Sequence, residues 1–159
     1  MSLLTVTPAG PGDIDAFVDS VAELFREDGG AHDRYMDISW PTREGTAYYT
    51  GLLKDSDCLL AVARDGDQII GHLVGKLVGP DSLRVARLAV LESIRVRPDR
   101  RGQGAGGLLV AEFFAWARRQ GAVQASVSAY AANDGAHRFY ARYGFAPITV
   151  TLRAPLPAD

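Results

Sequence analysis

The chain has 159 residues, of which 47% are apolar and 23% are charged, and its formal net charge is −2. This length and composition are ordinary for one globular domain with a hydrophobic core. No apolar run approaches the roughly 18 residues of a membrane-spanning helix, and the slightly acidic balance argues against a general nucleic-acid-binding protein.

Two features favour a cytoplasmic location. The N-terminus has no basic segment followed by a long apolar one, so it does not look like a secretory signal peptide. The single cysteine, Cys58, has no partner for an intrachain disulfide, which fits a reducing compartment. We therefore predict a cytoplasmic protein without a membrane partner.

The first part of the chain predicts a strand followed by two helices. The strand is Leu3–Thr7, and Asp13 is placed to cap the first helix. A second helix is predicted after Pro41. The apolar residues of the first helix recur at helical spacing and are Ile14, Phe17, Val18, Val21, Leu24 and Phe25.

Three strands of an antiparallel meander come next. Asp57–Arg64 and Gln68–Val78 flank Asp65-Gly66, which is a strong hairpin signal. The third strand, Arg84–Arg97, ends at Pro98, which has no N–H for further pairing.

The remainder alternates helices and strands. A helix follows a glycine-rich loop and ends at Gly121, and Val123–Ser128 should then pair in parallel with the preceding strand. Asn133 or Asp134 caps a last helix, His137–Tyr143, and Phe145–Arg153 is the predicted final strand. The result is one α/β domain over residues 1–159, with a mixed sheet and the order β-α-α-β-β-β-α-β-α-β.

Charge is unevenly distributed along this domain. Residues 1–67 carry 13 of the 19 acidic side chains, whereas residues 68–159 carry 12 of the 17 basic ones. The first part could attract a cation and the second an anion, although two differently solvated surfaces would have the same pattern.

The glycine-rich loop between the third meander strand and its helix is suited to holding phosphate, because backbone N–H groups at a helix N-terminus are unpaired. It lacks the lysine of a P-loop. A dinucleotide fingerprint matches formally at Gly102, Gly104 and Gly107, but residues 98–101 separate it from the strand and no acidic residue follows near Ser126–Ser128.

Three segments resemble the GNAT superfamily of acyl-CoA-dependent N-acetyltransferases. The run from Arg101 to Gly106 is similar to its R-x-x-G-x-G motif, and Glu92–Pro98 looks like the strand before it. The segment Asn133–Phe145 looks like the helix that ends in F-Y-x-x-x-G-F. The element order is also similar, so the resemblance implies a GNAT-like fold whose central sheet splays open.

The resemblance implies a site for acetyl-CoA. Its pantetheine arm would pair with the strand around Ile94, Arg95 and Val96, where a bulge would aim the Val96 N–H at the thioester carbonyl. Asn133 would bind the pantetheine, or would only cap its helix. The pyrophosphate would lie on Arg101, Gly102, Gln103, Gly104, Ala105, Gly106 and Gly107, with Arg100 also within reach.

The resemblance also implies direct attack by an amine in a ternary complex. A lysine-like amine has a pKa of about 10.4, so the site must remove a proton. Glu92, buried and with a raised pKa, would do so directly or through water; otherwise it is a structural partner of Arg87 or Arg95. Tyr140 would protonate the thiolate, unless it only packs beside Phe139.

The acceptor is not identified by the sequence. Glu92, together with Asp28 or Glu27 in the acidic segment Arg26–Ser39, could bind a small-molecule amine or a protein amino group. A non-catalytic acyl-CoA sensor is the alternative function, and a homodimer is plausible by resemblance only. The histidines are too scattered to suggest a metal site, so no metal is expected.

Overall fold

The computed structural model describes residues 3–159, in which five strands form one mixed sheet flanked by helices. The strands are β1 (Leu4–Pro8), β2 (Cys58–Asp65), β3 (Gln68–Val78), β4 (Leu88–Val96) and β5 (Ala125–Val127). The main helices are α1 (Ile14–Leu24), α2 (Trp40–Leu52), α3 (Ala105–Arg119) and α4 (Asp134–Ala141). No helix among these residues is long and apolar enough to cross a bilayer.

The sheet confirms the predicted meander and crossover. Strands follow in the order β1-β2-β3-β4-β5, with antiparallel pairing as far as β4. The α3 crossover then makes β5 parallel to β4, but only Ala89–Leu91 of β4 pairs with it. Among residues 3–159, the rest of β4 has no neighbouring strand on that side, so the sheet splays open where the resemblance implied it would.

A β-bulge interrupts β4 at the point where the sheet opens. Ser93 pairs with Val74 and Leu91 pairs with Gly75, which leaves Glu92 as an extra residue without a partner on β3. A bulge of this kind shifts the alternation of side chains by one position. Ala89 and Leu91 therefore face the same layer as Ile94 and Val96, which pack against the core beneath α3.

Two hydrophobic layers cover the sheet. Side chains from β2, β3 and β4 pack with Leu109, Val110, Phe113 and Trp116 of α3 on one face. The alternate residues of β2, including Leu60 and Val62, pack with Phe17, Val21 and Tyr49 of α1 and α2 on the other face. The period-two alternation of β2 thus feeds both layers.

The predicted final strand, Phe145–Arg153, is not formed. No helix or strand follows Ala141 within the described residues, and Ile148, Val150 and Leu152 are 78–89% exposed. The alternating pattern is real, but a strand also needs an adjacent edge. The outer strand β5 is only 3 residues long, and Pro147 has no N–H to donate.

Two predicted helix starts also differ. The 3₁₀ turn Pro11–Asp13 precedes α1, and the Asp13 carboxylate accepts the Gly10 N–H at 2.8 Å rather than capping α1 itself. Helix α4 begins at Asp134, three residues before the predicted start, because the Asn133 side chain accepts the Ala136 N–H at 3.1 Å.

The close approach of α3 to β3 depends on Gly75. A Cβ at this position would lie 2.9 Å from the Phe113 ring and 3.2 Å from Trp116. We expect Gly75→Ala to lower the free energy of unfolding by about 1–3 kcal/mol, the usual cost of overpacking a core, as measured by urea denaturation.

The control is Gly51→Ala in α2, where a Cβ would meet nothing within 4 Å. It should leave stability unchanged or raise it by up to about 1 kcal/mol. Equal stabilities of Gly75→Ala and the unmodified protein would show that the two layers are not tightly packed at this point.

Candidate functional site

The glycine-rich loop presents unpaired backbone donors at the N-terminus of α3. Gly102 and Gly104 have φ values of 75° and 96°, in the left-handed region that favours glycine. Gly104 is the N-cap residue and supplies no side-chain acceptor. Within residues 3–159, the N–H groups of residues 102–107 have no backbone or side-chain acceptor. The loop can therefore bind an anion through its backbone.

The loop's last two glycines have a packing role as well. A Cβ at Gly106 would lie 3.1 Å from the Phe139 ring, and one at Gly107 would lie 2.7 Å from the Tyr143 hydroxyl. These glycines let α4 approach the first turn of α3. The segment Asn133–Phe145 and the loop are thereby brought together, as the two motifs predicted.

The arginines around the loop are largely engaged within the protein. Arg100 forms an ion pair with Asp65 of the β2–β3 hairpin, so it is not a free phosphate ligand. The Arg101 Nε donates to the Val96 carbonyl at 2.8 Å, and its Nη2 lies 3.0 Å from Glu27 Oε2. Arg101 remains half exposed at 52%, so it is the arginine of this group most accessible to an anion.

Glu27 connects the loop to β4. Its carboxylate also accepts from the buried Arg95, whose Nη2 lies 2.8 Å from Oε1. Partial burial acts to raise the pKa of Glu27, but the hydrogen bonds and charges of Arg95 and Arg101 outweigh it and hold the pKa below its usual value. Glu27 is thus a structural anion, and the Arg95 side chain lies away from the predicted cofactor.

The open edge of β4 presents the backbone groups that the resemblance implied. The Arg97 N–H donates to Ile70 O on β3 at 2.8 Å. Because backbone groups alternate along a strand, those of Ile94 and Val96 point to the splayed side. One of them is already used, since Val96 O accepts from Arg101.

A cavity of about 460 Å³ lies against β4 on the face of the sheet opposite α3. It is bounded by the end of α1, the start of α2 and the bulge of β4. Because of the bulge, both Glu92 and Ser93 reach this cavity. Asp28 also lines it, so the two predicted acceptor-binding carboxylates share one wall.

Glu92 differs from its prediction in two ways. Its side chain is 41% exposed rather than buried, and its partner is Lys76 at 3.0 Å rather than Arg87 or Arg95. Lys76 Nζ also donates to the Tyr48 hydroxyl at 2.7 Å. Burial acts to lower the pKa of Lys76, but the hydrogen bonds to Tyr48 and Glu92 outweigh burial and raise the pKa above its usual value. The lysine therefore stays charged.

Tyr140 is largely buried between Phe139 and Phe145. Burial, with a smaller contribution from the charge of Asp28, raises the pKa of Tyr140 to about 12. A thiol has a pKa of about 8.5. Proton transfer from Tyr140 to a thiolate, expected to be nearly balanced, is therefore uphill in the free protein. Tyr140 does not line the cavity.

Asp28 and Asn133 link the cavity to α4. The Asn133 Nδ2 donates to Asp28 Oδ1 at 3.2 Å while its Oδ1 caps α4. His32 Nε2 lies 3.8 Å from the same Asp28 oxygen. The π-helical turn Phe25–Gly29 presents Glu27 and Asp28 to different partners, and such turns are frequent at functional sites.

A buried histidine network behind the cavity was not predicted. His72 is completely buried, with Nδ1 2.6 Å from Ser20 Oγ and Nε2 2.6 Å from Ser93 Oγ. Burial, and to a lesser extent the charge of Arg95, lowers the pKa of His72 to about 3. The neutral ring therefore fixes the orientation of the Ser93 hydroxyl and is a poor general base.

Lys76 and Tyr48 were also missed by the sequence analysis. The only available signal was that Lys76 is the one Lys or Arg in the otherwise apolar segment of β3. The resemblance implied a bulge that aims the Val96 N–H, whereas the bulge of β4 lies at Glu92; neither this position nor Ser93 has a sequence signal. Within the described residues, no group of three or more His, Cys, Asp or Glu side chains is arranged to hold a metal ion.

Solved structures with this fold include enzymes and a regulator. An aminoglycoside acetyltransferase from an uncultured soil metagenomic sample, crystallised with trehalose, has a TM-score of 0.73 at 18% identity, and 97% of each chain is covered. A ribosomal-protein-alanine N-acetyltransferase from Brucella melitensis biovar Abortus 2308 has a TM-score of 0.70 at 16% identity, covering 97% of this chain and 100% of that one.

A transcriptional regulator from Bacillus halodurans C-125 has a TM-score of 0.74 at 23% identity, with 97% of this chain and 100% of that one covered. At these identities the likeness shows the fold alone. No curated protein matches the sequence significantly. The sequence profile of the acetyltransferase (GNAT) family matches residues 18–145. With the motifs, the splayed sheet and the anion-binding loop in place, the chain belongs to the acetyltransferase (GNAT) family.

Proposed function

We propose that this protein is an N-acetyltransferase that transfers the acetyl group of acetyl-CoA to a primary amine by direct attack in a ternary complex. The observation that carries the proposal is the position of the β4 bulge. The same strand offers an open backbone edge beyond Leu91 and delivers Glu92 and Ser93 to an adjacent cavity. An acyl arm on the edge and an amine in the cavity would meet there.

The residues at the edge and the loop fit acetyl-CoA. The unpaired N–H groups of residues 102–107 suit the pyrophosphate, and half-exposed Arg101 suits a phosphate oxygen. The Ile94 and Val96 backbone would pair with the pantetheine arm. Asn133 has both polar atoms of its amide engaged, so its contribution is to fix α4 and Asp28.

Acetyl-CoA supplies an activated acyl group, and the protein must supply a neutral amine. Glu92 is the extra residue of the bulge, and its carboxylate is solvent-accessible. It can therefore take a proton from the amine directly or through water. Lys76 forms an ion pair with this carboxylate at 3.0 Å.

Tyr140 holds its phenolic proton at Oη at neutral pH because its pKa is about 12. The phenol can hydrogen-bond a departing thiolate, whereas full proton transfer to it is uphill because a thiol has the lower pKa, about 8.5. The same high pKa, together with the Glu92–Lys76 ion pair, favours the alternative of a non-catalytic acyl-CoA sensor. The two functions differ in whether any amine is acetylated.

Gly104→Val should weaken acetyl-CoA binding at least about 100-fold. A valine at a φ of 96° is strained, and its branched side chain would cover the loop N–H groups. The control is Gly121→Val at the other end of α3, where φ is 79° and a Cβ is equally unobstructed. Calorimetry should show full affinity in the control, and retained affinity in Gly104→Val would refute the loop assignment.

Tyr140→Phe should lower kcat by about 10²-fold or more while changing the Kd for acetyl-CoA little. Within residues 3–159 the Tyr140 hydroxyl makes no hydrogen bond, so its removal leaves no partner unpaired. Tyr35→Phe, which changes an exposed side chain, is the control. Parallel losses of kcat and affinity would instead indicate a packing role.

Glu92→Gln and Lys76→Met separate catalysis from ion pairing. If Glu92 relays the proton, Glu92→Gln lowers kcat/KM by about 10²-fold or more. Lys76→Met keeps the carboxylate and should retain most activity. Equal losses of activity in the two variants, matched by equal losses of stability, would show that the ion pair is only structural.

A further inference from the structure

One wall of the acceptor cavity is built from four aromatic rings, those of Phe25, Trp40, Tyr48 and Tyr49, which we name the aromatic wall. The Phe25 and Trp40 rings are stacked with centroids 6.0 Å apart. Tyr48 meets Trp40 edge-on at 5.2 Å and Tyr49 at 5.0 Å. These mutual contacts fix the rings before any ligand binds, and such rigid surfaces bind apolar groups at little entropic cost.

The remaining lining adds more apolar surface and very little charge. Leu24, Met36 and a further ring, Tyr130, add to the apolar part, and within residues 3–159 Asp28 and Glu92 are the only charged residues that line the cavity. Glu92 already has a cationic partner in Lys76. Asp28 has no Lys or Arg partner within residues 3–159 and contacts Asn133 and His32. The cavity therefore offers one carboxylate that lacks a strongly basic partner.

We propose that the acceptor is a primary monoamine with an apolar or aromatic body, a substrate class that 2-phenylethylamine represents. This inference rests on the proposed acetyltransferase function. The ammonium group would bind Asp28 and come within reach of Glu92, while the body lies on the aromatic wall. A cavity of about 460 Å³ is within the range of small-molecule sites.

Charge balance argues against polycationic acceptors. A polyamine or an aminoglycoside brings several ammonium groups, and each one taken from water needs an opposite charge. Lys76, which stays charged, lies 5.4 Å from the Tyr48 ring centroid and would repel a second cation there. A monoamine has no such excess charge.

An apolar body also helps the reaction. Contact with the aromatic wall removes water from around the amine and acts to lower its pKa, against the opposite effect of the Asp28 carboxylate. In the transfer, an N–C bond forms as the C–S bond breaks. One amine proton passes to Glu92, and the departing thiolate accepts a proton from Tyr140 Oη or from solvent.

The test compares amines of different charge and body. With acetyl-CoA, kcat/KM should be at least about 100-fold higher for 2-phenylethylamine and hexylamine than for spermidine, kanamycin or a peptide with N-terminal alanine. Thiol release and mass spectrometry of the products are the measurements. A preference for spermidine, kanamycin or the peptide would overturn the inference while leaving the acetyltransferase function intact.

Binding separates this failure from failure of the proposed function. Calorimetric binding of 2-phenylethylamine in the presence of CoA, without acetylation of any amine, would refute the acetyltransferase and retain the monoamine site. Absence of both binding and acetylation would refute both.

Two variants locate the site on the cavity. Trp40→Ala should raise KM for 2-phenylethylamine about tenfold or more, whereas Tyr35→Ala, an exposed ring outside the cavity, should not change it. Met36→Glu adds a third carboxylate, one without a Lys or Arg partner, at a partly exposed position and should shift the kcat/KM ratio toward spermidine about tenfold. An unchanged ratio in a folded Met36→Glu protein would overturn the inference.

Discussion

The β-bulge at Glu92 determines how β4 serves both sides of the sheet. Before it, Leu91 faces the α3 layer; after it, Ile94 does, so the alternation of side chains shifts by one position. If β4 alternated regularly through Glu92, Ser93 and Arg95 would face the hydrophobic layer beneath α3, where a buried guanidinium has no partner. The bulge turns Arg95 toward Glu27 and Ser93 toward His72, and it places Ser93 beside Glu92 on the cavity. The bulge thus lies where the open edge of β4 begins and where the same strand meets the cavity.

Glu27 connects β4 to the glycine-rich loop on the side of the bulge nearer the C-terminus of the strand. It accepts from Arg95 on β4 and Arg101 in the loop, and Arg101 also binds the last carbonyl of β4. The next residue, Asp28, faces the cavity and binds Asn133 at the start of α4. Two consecutive acidic residues in one π-helical turn therefore contact both halves of the candidate site. Their different partners explain why Glu27 is a structural anion and Asp28 is available to a ligand.

Patterns within single segments predicted most of the fold, and contacts between segments account for what was missed. Some features have local physical causes and could therefore be predicted from the sequence. They are the hairpin at Asp65-Gly66, the glycine-rich loop before α3 and the Asn133 cap. The prediction of a final strand was wrong because an alternating sequence pattern does not by itself supply a neighbouring strand to pair with. The prediction that Glu92 is buried was wrong for a similar reason. Its environment depends on the bulge and on Lys76, a residue 16 positions away on another strand. The aromatic wall joins three rings of α2 to Phe25, and only the folded chain shows that they line one cavity.

The pKa values of the site bear on where the catalytic advantage arises. Tyr140 and Lys76 both have raised pKa values, so neither is a strong source of protons at neutral pH. Glu92 is exposed and forms an ion pair with Lys76. A free amine with a pKa of about 10.4 is neutral in roughly one molecule per thousand at pH 7, and each unit by which its pKa falls raises that fraction tenfold. In the proposed transfer, the substrate amine is therefore a group whose protonation the cavity can change, because the aromatic wall excludes water and acts to lower the amine pKa against the effect of Asp28. The proposal thus ties catalysis to the aromatic wall as well as to the titratable side chains.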